Sequence, residues 1–147
     1  MTDVRLSEDE VHALLRKART IAVVGASSKP ARPSNRVMGI LIAAGYDVFP
    51  VNPNETEVLG LRAYPSLVAV PKPIDIVDVF RRAEFTPEVA RDAVRIGAKT
   101  LWLQLGVINQ EAASVASAAG LSVIMDRCLG DAVESFGIER HRSGAPS

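Results

Sequence analysis

The chain of 147 residues carries 17 basic and 17 acidic side chains and no formal net charge, so it lacks the surplus of Lys and Arg that duplex nucleic acid demands of a partner. With 48% hydrophobic and 23% charged residues it has the composition of one ordinary globular domain and not of a disordered chain. A single cysteine, Cys128, excludes an internal disulfide, and no Cys/His spacing suggests a metal.

The N-terminus, MTDVRLSEDEVHALL, is acidic where a signal peptide is basic, and no later run approaches membrane-spanning length. A cytoplasmic protein with no membrane attachment is expected. Ser7 to Ala18 reads as a helix, with Ser7 as N-cap, Glu10 completing a capping box, and Val11, Leu14, Leu15 and Ala18 on one stripe. His12 lies on it as a solvated surface histidine.

From Thr20 onward strands and helices alternate, the pattern of a parallel sheet built from βαβ units. Five apolar runs predict strands: Thr20 to Val24, Asp47 to Val51, Ile74 to Phe80, Thr100 to Leu103, and Leu121 to Met125. Leu61 to Tyr64, short and followed by Pro65, is expected as an edge strand. Helices are predicted from Ser34 to Ala44, ended by Gly45; from Thr86, as N-cap, to the neighbourhood of Gly97; and from Asn109 to Ala119, closed by Gly120. The expected fold is α/β: one Rossmann-like, doubly wound parallel sheet of order 3-2-1-4-5-6 in a three-layer αβα arrangement, with right-handed crossovers. Its core is expected over residues 20–130, and residues 136–147 read as a loosely ordered tail.

In such a sheet the ligand lies beyond the carboxyl ends of the strands, so the loops that follow them are where chemistry belongs. They are GASSKPARPSN (25–35), NPNE (52–55), RRAE (81–84), QLGV (104–107) and DRCLG (126–130). The first follows IAVVG and opens a helix, a setting in which backbone amides can hold a phosphate. It departs from G-x-G-x-x-G, with Ser27 and Pro30 at the later glycine positions, and offers hydroxyls and the cations Lys29 and Arg32 instead. The second strand ends Val51-Asn52-Pro53, with neither the acid of an NAD site nor the Arg of an NADP site, although Asn52 could hydrogen-bond a ribose or an adenine edge. Lys29, Arg32, Arg36, Arg81, Arg82 and Arg127 place six of the 17 basic residues at or beside this mouth, which implies a ligand bearing several phosphates.

At these loops the chain resembles the stand-alone CoA-binding protein family, whose fold is that of the CoA-binding domain of the succinyl-CoA synthetase α subunit. The resemblance is carried by IAVVGAS (21–27), RPS (32–34), GYDVFPVNP (45–53), IDIVDVFR (74–81), LWLQLG (101–106) and DRCLG (126–130). It implies coenzyme A, free or acylated, across the sheet edge. Gly25, Ala26, Ser27, Lys29 and Arg32 would form the phosphate loop, and Asn52, Pro53, Phe80 and Arg81 would flank the nucleotide. Gln104 and Gly106 would border the pantetheine arm, with Arg127 and Cys128 towards the thiol end. The synthetase's phosphorylated histidine lies in a further domain that has no counterpart here.

Within the chain itself, Trp102 is expected as strand core and Asp78 as a structural hydrogen-bonding group. Cys128 is either a small buried hydrophobe or a thiol, acidified by Arg127, that exchanges with the thiol of CoA. No catalytic constellation is found: Ser27 and Ser28 lack a base, and both histidines, His12 and His141, lie away from the mouth. Three functions stay open: a non-catalytic CoA-binding module, a small NAD(P)-dependent oxidoreductase, and a detached subunit of an acyl-CoA ligase complex. Whether the chain forms a homo-oligomer or joins a partner enzyme is equally open.

Overall fold

A computed structural model describes residues 5–139. The elements follow in the order α1 (Glu8–Lys17), β1 (Thr20–Val24), α2 (Pro33–Ala43), β2 (Asp47–Val51), β3 (Glu57–Val58), β4 (Leu61–Arg62), β5 (Ile76–Val79), α3 (Thr86–Arg95), β6 (Thr100–Leu103), α4 (Gln110–Ala118), β7 (Ser122–Ile124) and α5 (Leu129–Ser135). The main sheet has five parallel strands ordered β2-β1-β5-β6-β7.

The predicted edge strand is divided between two environments. Leu59 and Gly60 both adopt positive φ, 51° and 79°, which suits a tight hairpin turn and folds Leu61–Arg62 back against Glu57–Val58 as an antiparallel ribbon. Only Tyr64 reaches the main sheet, through a parallel bridge to Val51. Pro65, having no N–H to donate, cannot extend the pairing. Counting that bridge as the outermost position recovers the expected 3-2-1-4-5-6 succession in rudimentary form.

Alternation along the strands sends side chains to two apolar layers. Ile21, Val23, Ile76, Trp102 and Ile124 pack with residues of α1, α2 and α5, while Ala22, Val24, Val77, Val79, Leu101 and Leu103 pack with residues of α3 and α4. These are the three layers expected, and every β1 residue after Thr20 is buried. Among the described residues, no helix is long and apolar enough to cross a membrane.

Local chemistry sets the helix ends. The Ser7–Glu10 capping box forms as read from the sequence, and the Asn109 side chain accepts from the Ala112 amide to cap α4. Thr86 departs from expectation: it is the first residue of α3, and its hydroxyl donates to the Ala83 carbonyl at 2.7 Å in the preceding turn. Helix α5, which starts just after Cys128, was not among the helices delimited from the sequence. It carries Phe136 and Ile138 back onto the protein, Ile138 into the core and Phe136 onto His12 with ring centroids 4.7 Å apart, where the sequence suggested a loose tail and a solvated histidine. His141 lies outside the described residues.

Candidate functional site

The strand ends are stitched to one another at the carboxyl edge. The Gly25 amide donates to the Val51 carbonyl at 2.9 Å, the Phe80 amide to Val24 at 2.8 Å, and the Gln104 amide to Val79 at 3.4 Å. Gly25 sits where β1 meets both β2 and β5, at φ +88°, and a Cβ built on it would lie 2.4 Å from the Phe80 carbonyl oxygen. Only glycine permits this crossing, and the first loop leaves the sheet from it.

Ala26 is buried beneath the loop and Ser27 holds it in shape. The Ser27 amide donates to Ser34 Oγ at 3.1 Å, the Ser27 carbonyl accepts from Asn35 Nδ2 at 3.0 Å, and Ser27 Oγ accepts from the Lys29 amide at 3.1 Å. The Ser28 amide and hydroxyl both donate to one carboxylate oxygen of Glu55, at 2.8 and 3.0 Å. A carboxylate thus rests on one amide and one hydroxyl of the loop that the sequence assigned to a phosphate. Glu55 belongs to the NPNE loop that the sequence placed at the mouth, where no role was assigned to it.

Asn52 is committed to the loops. Its Nδ2 donates to the Ala26 carbonyl at 2.8 Å and its Oδ1 accepts from the Asn54 amide at 2.8 Å, so it ties the second loop to the first. Pro53 is exposed beside it and Phe80 is partly buried against the core.

The six cations do not converge as a set. Arg127 makes a two-pronged ion pair with Glu8 of α1, at 2.8 and 3.0 Å, and its hydrogen bonds hold the Glu8 carboxyl below the usual carboxylate range. Arg36 faces Asp131 at 3.5 Å and Cys128 Sγ at 3.7 Å. Arg82 lies 4.0 Å from Glu84, and Arg81 covers the Phe85 ring at 4.8 Å. Lys29, Arg32 and Arg81, all exposed, make no ion pair among the described residues, so the cationic part of the candidate site is the first loop together with Arg81 after β5.

On the α1/α2/α5 side of the edge lies a polar group in an apolar setting. Asp78 is fully buried in β5; its Oδ1 accepts from Gln104 Nε2 at 2.8 Å, and its Oδ2 has no hydrogen-bond partner among the described residues. Burial raises its pKa from 3.8 to about 7, against the smaller opposing effect of the Gln104 hydrogen bond. The bond to Gln104 agrees with the hydrogen-bonding role expected of Asp78. Gln104 itself is 6% exposed, its orientation set by that bond, and Gly106 donates its amide to Asp126 Oδ1 at 2.7 Å. Trp102 is fully buried, as expected of strand core, and its Nε1 donates to the Arg127 carbonyl at 2.8 Å. Cys128 is 8% exposed and caps α5, its Sγ accepting from the Asp131 amide at 3.5 Å. No group of three or more His, Cys, Asp or Glu residues suited to a metal occurs among the described residues.

Comparison with known proteins places this geometry. The family described as CoA binding domain matches residues 19–133, which include all five loops. The uncharacterized protein YneT of Bacillus subtilis is 42% identical over 123 residues, covering 84% of this chain and 91% of that one. A hypothetical protein from Pyrococcus horikoshii superposes with a TM-score of 0.87 at 39% identity, covering 92% of this chain and 99% of the other. The ADP-forming acetate–CoA ligase I of Archaeoglobus fulgidus is 26% identical over 122 residues, and this chain spans only 18% of its length. The matched stretch takes in the whole carboxyl edge, from the Gly25 crossing to the loop at Cys128, and the chain belongs to the CoA binding domain family.

Proposed function

We propose that this chain binds coenzyme A or an acyl-CoA along the carboxyl edge of its sheet, as a module without chemistry of its own. The observation that carries the reading is the family match over residues 19–133, which runs through every loop at that edge. Fit to the ligand is supported by the first loop. It pairs two uncompensated cations, Lys29 and Arg32, with a Ser28 amide and hydroxyl already holding an anionic group at hydrogen-bond distance. Phosphates of the nucleotide would lie there, flanked by Asn52, Pro53, Phe80 and Arg81, and the pantetheine arm would run past Gln104 and Gly106. Arg127 and Cys128 border the far end of that path, where Arg127 holds α1 through Glu8.

Calorimetry with CoA, acetyl-CoA, NAD and NADP tests the proposal and separates it from a small oxidoreductase. CoA should bind and the nicotinamide nucleotides should not. Reversing both charges, Lys29→Glu with Arg32→Glu, should weaken CoA binding about a hundredfold, since each hydrogen bond to a charged group contributes about 1.5 kcal/mol or more. The variant's affinity should also depend less steeply on salt. Unchanged affinity in that variant would remove the first loop from the site. The match to part of an acetate–CoA ligase favours a second reading, a detached subunit that works beside a partner enzyme, and capture of a ligase-type subunit from lysate would support it.

A further inference from the structure

Glu55 occupies a position that the nucleotide reading leaves without purpose. Its carboxylate accepts two hydrogen bonds from one residue, Ser28, in the loop that carries Lys29 and Arg32. Three other amides at the start of that loop donate to uncharged acceptors: Gly25 to the Val51 carbonyl, Ser27 to Ser34 Oγ, Lys29 to Ser27 Oγ. Among these, the Ser28 amide is the one whose acceptor comes from a different loop and carries a charge. An N–H and an O–H converging on a single anionic oxygen are the same donors a phosphoryl oxygen would need.

We propose that Glu55 is an internal phosphate surrogate, holding the Ser28 donors in ligand-ready geometry until a phosphoryl group of the ligand displaces it. The inference rests on the CoA reading of the first loop. The attachment points support it. Asn52 remains bound to the Ala26 carbonyl through Nδ2, and the Asn54 amide is turned onto Asn52 Oδ1, so the second loop has an anchor that does not involve Glu55. The Glu55 side chain can leave Ser28 while that anchor stays in place. No bond is made or broken in this exchange except hydrogen bonds: Ser28 loses a carboxylate acceptor and gains a phosphate one. Between them, the surrogate satisfies the loop donors and excludes weakly bound anions, and it lowers apparent ligand affinity by the fraction of time it occupies the site.

The consequence runs opposite to that of an ordinary binding residue. Removing Glu55 should tighten binding, whereas removing a residue that contacts the ligand weakens it. Calorimetry with CoA and with inorganic pyrophosphate on the wild type, Glu55→Gln and Glu55→Ala provides the test, with thermal unfolding to establish that each variant folds. We expect both variants to bind both ligands about tenfold more tightly than the wild type. The Ser28 amide resonance should shift on pyrophosphate addition in every protein, and on Glu55→Ala alone without any ligand. Weaker CoA binding in the variants would overturn the inference in favour of Glu55 accepting from a ligand hydroxyl, and equal binding would reduce it to a loop-to-loop latch. If pyrophosphate binds the variants more tightly while CoA binds none of the proteins, the CoA reading fails and the surrogate stands. If CoA binds the wild type but substitution at Glu55 brings no gain, the surrogate fails and the CoA reading stands. Should neither ligand bind any of the three, both are overturned.

Discussion

Gly25→Ala is expected to destabilise the protein by about 3 to 4 kcal/mol, lowering Tm by roughly 10 °C, because two penalties fall on one atom. The first is conformational: at φ +88° an L side chain is strained, a cost of about 1 to 2 kcal/mol. The second is steric, since the new Cβ would lie 2.4 Å from the Phe80 carbonyl oxygen and 3.1 Å from its carbon, and neither backbone atom can swing aside. Overpacking of that kind adds about 1 to 3 kcal/mol. Gly60→Ala isolates the first penalty, because Gly60 has φ +79° with nothing within 4 Å of the added atom, and it should cost about 1 kcal/mol. Equal losses in the two variants, measured by urea unfolding, would show that the crossing at Phe80 is not tight. The effect also reaches function. The Phe80 amide holds Val24 and the Gly25 amide holds Val51, so parting β1 from β5 shifts the root of the first loop, and CoA affinity should fall with stability in Gly25→Ala but not in Gly60→Ala.

The same crossing shows what a sequence can and cannot reveal. Strands β1, β2 and β6 lie where their apolar runs ended, because a strand covered on both faces must be apolar at nearly every position and the flanking Gly, Pro and Asn mark its limits. Helix α5 was not delimited from the sequence because Gly130, a poor helix former, sits in its first turn. The reason for that glycine is tertiary: a Cβ there would meet Ile40 at 3.2 Å and Val37 at 3.3 Å, both on α2. Nor does any local pattern announce that Arg127 is paired with Glu8, since the two lie 119 residues apart in the chain. Local clustering made six cations look like one site, yet Arg127 and Arg36 are drawn off by distant acids and Arg82 by its neighbour Glu84, which leaves Lys29, Arg32 and Arg81 without an ion pair among the described residues. Glu55 was within reach of sequence reasoning. An acid in the turn after the second strand lies beside the first loop in any sheet of this order, and the reading named the NPNE loop without asking what its acid would meet.

Asp78 should make stability fall as pH rises from about 4 to 7. Its folded pKa of about 7 lies above the ordinary aspartate value of 3.8, so between these limits the native protein retains a proton that the unfolded chain has released. The folded state then binds more protons than the unfolded state, and linkage makes each rise in pH destabilising until the native carboxyl also ionises. A shift of that size corresponds to on the order of 4 kcal/mol across the window, with the contribution fully present below pH 4 and gone above pH 7. The cause is structural: Oδ2 has no partner among the described residues, and full burial leaves the ionised form with only the Gln104 hydrogen bond to offset lost water. Asp78→Asn keeps the shape of the protonated acid and cannot ionise. It should match the wild type near pH 4, exceed it by several kcal/mol at pH 8, and flatten the profile between, as read from urea midpoints at each pH. Parallel profiles for the two proteins would mean that Asp78 titrates near its ordinary value, and that something else at this edge, such as bound water, satisfies Oδ2 in solution. The prediction bears on the ligand as well. Gln104 donates to Asp78 through Nε2, which leaves its Oε1 as the amide atom able to accept from a pantetheine N–H, and a charge arising behind it would change how firmly that orientation is held. If the carboxyl does lose its proton near neutrality, affinity for CoA and affinity for pyrophosphate should respond differently to pH over that range, since along the proposed path only CoA would extend to Gln104.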